Sequence, residues 1–351
     1  MTQVITEAAL RGYLLEEVLA WLLKSSGYEL LAEEDDRDVL AVRQHGLVVR
    51  GRGAWHQANV LGEFRYVPPF SLPVRLFLEA KFTNRAVNLP TVRNGHGVIH
   101  DVNEGVLASP RSSSSQPRRP RPRYQYSYAI FSTSGFTKDA QEYALAHQIS
   151  LIDLSMPNFH VLRDLVGETA EHVHEALNTL PQGESPRIHH LRNYLRYALH
   201  HEGAEISPPL PSVTEPLDAL ASSLRSRSTL GLVLAFPSAP FVLGLAPDDL
   251  KAFVGYCRVH PTHAVRLRRA EKSGAHRTWT LRSAADPGAY EMAFGLPKQV
   301  EDWILAQEET VRSRTSWVKK QLLSTMTVYW LDGDHAHTFH LRYEPAELRS
   351  S

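Results

Sequence analysis

The chain has 351 residues, with 38 basic and 38 acidic side chains and so a formal net charge of zero; 43% of its residues are apolar and 22% charged. This composition excludes disordered, collagen-like and disulfide-stapled classes and a uniformly basic nucleic-acid binder, and the length calls for about two domains. Cys257 has no second cysteine to pair with, and no basic stretch with an apolar run follows Met1; a cytoplasmic protein with no membrane partner is expected.

From Glu7, apolar residues at Leu10, Leu14, Leu15, Val18, Leu19, Leu22 and Leu23 form a helical stripe that Gly27 ends. The segments DVLAVRQHGLVVRG, ANVLGEFRYV and VRLFLEAKF follow, separated by Gly and Pro, and predict a meander of strands. The stretch from Arg93 to Glu104 is polar at unusual places; its His96, His100 and Asp101 are read as structural hydrogen-bonding groups rather than substrate contacts.

Between Arg111 and Arg123 the run RSSSSQPRRPRPR has neither acid nor apolar residue, which predicts a flexible basic loop over 109–124. YSYAIFSTS, GFTKDAQEYALAHQ and ISLIDLS then predict strand, helix and strand, with Thr137 as cap, Asp139 in the first turn, and a parallel strand pair. A helix over Val161 to Leu177 is followed by a basic helix, RIHHLRNYLRYALHH, and by EISPPLPSVTEP, read as a linker. The organisation expected is therefore 1–180, a linking segment 181–216, and a second, α+β domain over 217–351.

In that second domain, Leu230 to Pro247 lacks charge but is interrupted by Pro237, Ser238 and Pro240, which predicts two buried strands joined by a turn rather than a membrane span. A helix over Asp248 to Arg258 and strands over Thr262 to Arg269 and Arg277 to Arg282 come next. Helices over Lys298 to Ala306 and Thr310 to Leu323 and a closing hairpin turned by DGD complete it. Trp279, Trp303, Trp317 and Trp330 argue for a core of its own.

On the strand RLFLEAKF, alternation puts Glu79 and Lys81 on one face, while Leu78, Ala80 and Phe82 point to the other. Charges on a strand that reads as buried on both sides need a reason. Metal-dependent phosphodiester cleavage supplies one: Mg²⁺ takes carboxylate oxygens, and a lysine can orient the attacking water. Such a site needs a second carboxylate from the neighbouring strand, in HQANVLGEF.

Through three blocks in order, the sequence resembles the Mrr-like branch of the PD-(D/E)xK nuclease superfamily, the restriction-type endonucleases. The blocks are LEEVLAWLLKSSGYE, the strand pair with Asn59, Glu79 and Lys81, and AIFSTSGFTKDAQEYA with ISLIDLS; together they span Leu10 to Leu165. The resemblance implies a restriction-endonuclease-like mixed sheet flanked by helices. It also implies Mg²⁺ or Mn²⁺ held at position 59, Glu79 and Glu16, with Lys81 orienting water; the spacing to Gly27-Tyr28 selects Glu16 over Glu17. DNA is the implied substrate, restriction or anti-phage defence the implied role, and a homodimer or larger homo-oligomer the implied assembly.

Position 59 departs from the pattern, because the family's metal-binding Asp is here an amide. Either the domain is impaired and serves as a DNA-binding or sensing module, or the chain carries an Asp→Asn inactivation; the otherwise intact motif favours the second. Glu63, about 13 Å along the strand, is too far away to substitute. Arg118, Arg119, Arg121 and Arg123 of the basic loop, with Arg192 and Arg196 of the basic helix, are candidates for phosphate contact. The second domain is expected to recognise DNA, a defence-system partner protein or a nucleotide signal.

Overall fold

The computed structural model describes residues 5–43, 46–67, 70–104, 124–156, 159–181, 186–200, 210–226, 233–238, 243–269, 278–296, 300, 322–332 and 335–344. Helix α1 (Glu7–Ser25) is capped by the Thr6 side chain, which accepts from the Ala9 amide, and it stops where Gly27 takes φ +89°, a conformation that favours glycine. The chain continues through β1 (Tyr28–Leu30), β2 (Leu40–Arg43), β3 (Gly46–Arg50), β4 (Trp55–Gln57), β5 (Val60–Phe64) and β6 (Val74–Lys81). Helix α2 (Leu89–Glu104) leads to β7 (Gln125–Ser132), α3 (Lys138–Ala146), β8 (Ser150–Asp153) and α4 (His160–Thr179).

A five-stranded sheet runs β1-β5-β6-β7-β8. Its β1, β5 and β6 are antiparallel neighbours, whereas β6, β7 and β8 are parallel. Alternation on β6 and β7 feeds two cores. Leu76, Leu78, Ala80, Ala129 and Phe131 pack with α1 and α4; Phe77, Tyr126, Tyr128 and Ile130 pack on the other face with Val92 and Val102 of α2 and Ala140 and Ala144 of α3. The strand–helix–strand expectation over β7, α3 and β8 holds, including the Thr137 cap and Asp139. Strands β2 and β3, from the DVLAVRQHGLVVRG part of the expected meander, instead join β4 as a separate three-stranded sheet, β2-β3-β4.

Helix α2 was not expected. Gly95 and Gly97 lower its propensity, but it buries Val92, Gly95 and Val102, and tertiary packing holds it. Its His96 contacts the Tyr143 hydroxyl at 2.8 Å, and Asp101 accepts from the Gly53 and Ala54 amides and pairs with His56 at 2.7 Å, so these groups have structural partners, as expected.

Helices α5 (Ile188–His200) and α6 (Pro211–Arg225) bury Leu191, Leu195 and Leu199, and Val213, Leu217, Leu220 and Leu224, in the α1–α4 core. The expected linker is thus corrected in part: its later half begins α6. Pro211 stands where its missing N–H has no partner, and the buried stripe outweighs the single bond Pro216 forgoes.

The remaining strands are β9 (Val233–Pro237), β10 (Leu243–Pro247), β11 (Thr262–Arg269), β12 (Trp279–Ser283), β13 (Glu291–Phe294), β14 (Thr325–Asp332) and β15 (His335–Tyr343), with α7 (Leu250–Val259) between β10 and β11. They close into a barrel, β10-β13-β12-β11-β15-β14-β9, in which β11 and β15 are parallel. The β9–β10 hairpin, α7 and the closing hairpin match expectation; β13 and the closure were not anticipated. The expected helices over 298–306 and 310–323 lie almost wholly outside the described residues. Trp279 and Trp330 belong to the second core, with Val265, Leu281, Met292, Phe253 and Phe339.

The protein is therefore a mixed α/β sheet followed by a barrel. Phe64 at the end of β5 and Tyr66 just past it meet the barrel's Phe236 and Tyr329, with Tyr66 and Tyr329 stacked at 5.2 Å. Among the described residues no helix is long and apolar enough to cross a membrane.

Candidate active site

Strand β6 carries Glu79 and Lys81 on the face that holds Phe77, and both are half-buried between buried neighbours. The Lys81 ammonium lies 2.5 Å from Glu79 Oε1. Tyr128, on the parallel neighbour β7, donates its hydroxyl to Glu79 Oε2. Val60 pairs with Leu78, and Asn59 stands one residue before that pair, in the bend that precedes β5 and outside the ladder. Glu79 and Lys81 of the expected motif are thus in contact, and Asn59 lies at the same end of the β5–β6 pair.

Tyr128 is fixed from two sides. Its ring stacks on Phe77 at 6.1 Å and 13°. Gly95 of α2 lies against it so closely that a Cβ there would fall 2.8 Å from Cε1. Burial, and then the Glu79 charge, push the phenol well above the usual tyrosine range, so it remains a donor.

Glu16 comes from α1, in the helix layer on the opposite sheet face. Burial raises its carboxyl to about 7, with Arg192 and Lys81 opposing the rise and Glu17 adding to it. Arg192 Nη2 lies 2.9 Å from Glu16, and Arg192 Nε donates to Glu17 at 2.7 Å. Arg196 donates twice to Glu17, at 2.5 and 2.8 Å. Glu17 is 1% exposed, and two guanidiniums balance its buried charge. Arg192 and Arg196, expected to face phosphates, are thus engaged with acids of α1, which lie on a different helix and so were invisible in the composition of α5. Arg118, Arg119, Arg121 and Arg123 lie outside the described residues.

Glu63 lies at the far end of β5 from Asn59, as expected. It accepts from Arg75, whose fully buried guanidinium also binds Asp36 and the Tyr126 hydroxyl and lies 3.4 Å over the Tyr124 ring. A cleft of about 480 Å³ opens past the carboxyl ends of β6 and β7, lined by Arg11, Phe82, Thr83, Ser134, Arg163 and Gly167 and by the acids Asp164, Glu168 and Glu171; neither Glu79 nor Lys81 is part of its lining. Parallel sheets commonly bind ligands at this end.

The oxygens available, a Glu79 carboxylate with lone pairs to spare and the Asn59 amide, suit a hard cation such as Mg²⁺ that keeps several waters of its own. Among the described residues, no three His, Cys, Asp or Glu converge as a metal cage. The sequence reading missed Tyr128 and Glu17. The YSY alternation puts two polar-tipped rings on a buried face, where each hydroxyl needs a partner, and was the available signal for Tyr128.

No family model matches the chain, and no curated protein was found to match it. Among solved structures, one titled as a protein of unknown function, AF1548, aligns over 61% of this chain and 92% of its own, at 15% identity and a TM-score of 0.30. A likeness so slight carries no argument about fold or function.

Proposed function

We propose that the chain is a metal-dependent DNA endonuclease with a PD-(D/E)xK site of the Mrr-like, restriction-endonuclease type, impaired by the amide at position 59. The observation that carries this reading is the contact of Glu79 and Lys81 on one face of β6, with Asn59 in the bend that precedes the antiparallel neighbour β5. Of the two cations on that strand face, Arg75 is buried and bound to Glu63 and Asp36, whereas Lys81 is partly exposed and can reach both Glu79 and a phosphate oxygen. Mg²⁺ or Mn²⁺ held by Glu79 and the oxygen at 59 would polarise the phosphodiester and acidify bound water. The cleft past the end of β6 would give room for DNA next to the scissile bond, its Arg11 and Arg163 favouring phosphate and its Asp164, Glu168 and Glu171 opposing it. By resemblance the role is restriction or anti-phage defence in the cytoplasm, with a homodimer cutting both strands and the barrel recognising DNA, a partner protein or a nucleotide signal.

A second reading is favoured by Asn59 itself: a nuclease fold retained for DNA binding or sensing. Calorimetric titration of Mn²⁺ into the chain and into Asn59→Asp separates the two. An inactivated enzyme gains tight binding with the restored carboxylate, whereas a sensing module gains little. If Asn59→Asp shows no Mn²⁺ binding at all, the metal-dependent reading fails.

A further inference from the structure

We infer that Tyr128 is a positioning residue that fixes which oxygen of Glu79 faces a divalent cation. This rests on the metal-dependent reading above. A glutamate side chain turns about several bonds, and a metal ligand must present a lone pair in one direction, so a carboxylate is useful only if something holds it. Glu79 has two holders of different character. Lys81, on the same strand, is a third exposed at the end of a flexible stem and takes Oε1. Tyr128 takes Oε2 from a rigid ring clamped between Phe77 and the Gly95 backbone.

The rigid partner decides the geometry. Oε2 stays bonded to the phenol, while Oε1 is the oxygen whose partner can swing away. A cation held at Oε1 would take the place of the Lys81 ammonium, which would then be free to turn towards the phosphate and water it is expected to orient. Gly95 belongs to the same device, because any larger residue there would push the phenol off Glu79. That accounts for a glycine inside α2, where glycine is otherwise unfavourable.

The test uses the full chain carrying Asn59→Asp, titrated with Mn²⁺ by calorimetry. Adding Tyr128→Phe removes one oxygen and keeps the ring; Gly95→Ala keeps the phenol and displaces it. Each should weaken Mn²⁺ affinity about tenfold or more, the usual effect of removing a group that orients a metal ligand. Phe77→Leu, which loosens packing against the same ring but keeps the hydroxyl, should lower the urea midpoint more than Tyr128→Phe does and weaken Mn²⁺ affinity less, an opposite ranking that a merely structural Tyr128 would not produce. Parent-like affinity in both Tyr128→Phe and Gly95→Ala overturns the role of Tyr128 and leaves the metal site standing. Absence of Mn²⁺ binding in the Asn59→Asp parent overturns both.

Discussion

Replacing Glu16 with Gln should remove a pH dependence of stability that this one carboxyl imposes. Burial raises Glu16 from 4.5 to about 7, and the Arg192 guanidinium at 2.9 Å only partly offsets the loss of water. Below pH 4.5 the group is protonated whether the chain is folded or not, and it contributes nothing. Between pH 4.5 and about 7 the folded chain keeps a proton that the unfolded chain releases, so stability falls as pH rises and then levels off. At 1.36 kcal/mol per pH unit, the deficit above pH 7 is on the order of 3 kcal/mol. Glu16→Gln imitates the protonated form and should recover about that much above pH 7 while matching the parent below pH 4.5. Urea unfolding across this range, with unchanged m-values, measures the difference directly. Parallel stability curves for parent and variant would refute the argument.

Arg75→Met leaves Glu63, Asp36 and the Tyr126 hydroxyl without their shared donor in a buried setting; it should cost about 3 kcal/mol in urea unfolding, and a loss below about 1 kcal/mol would contradict the assignment. Tyr329→Ala removes the ring that meets Phe64, Tyr66 and Phe236, and calorimetric scanning should then show the sheet and barrel melting separately; one undivided transition at the parent's position would count against this coupling. Gly167→Leu projects a side chain into a cleft where only Phe82 stands near the new Cβ, at 3.9 Å. In an Asn59→Asp background it should lower DNA cleavage about tenfold, roughly 1.4 kcal/mol, with stability nearly unchanged. Unaltered cleavage would place the substrate elsewhere.

Elements specified by local pattern were legible in the sequence. Helix α1 carries its stripe and Gly27 stop, and the β7–α3–β8 unit carries Thr137 at the cap; Glu79 and Lys81 follow from simple alternation on β6. Elements specified by distant partners were not. Gly95 marks α2 as a poor helix until Tyr128 is known to press against it. Proline density disguised α6, whose stripe acquires meaning only against α1 and α4. Barrel closure depends on β11 pairing in parallel with β15, a long-range pairing that short-range turn signals do not encode. Arg192 and Arg196 read as an unopposed basic face because Glu16 and Glu17 arrive from the opposite end of the sheet unit's sequence.

The central claim concerns chemistry at the junction of β5 and β6, and cleavage of plasmid and linear DNA, methylated and unmethylated, by Asn59→Asp tests it most directly. The account predicts nicking or linearisation that requires Mg²⁺ or Mn²⁺ and disappears when Lys81→Ala is added. Intact DNA of every form with either metal, from a folded Asn59→Asp protein, would contradict it.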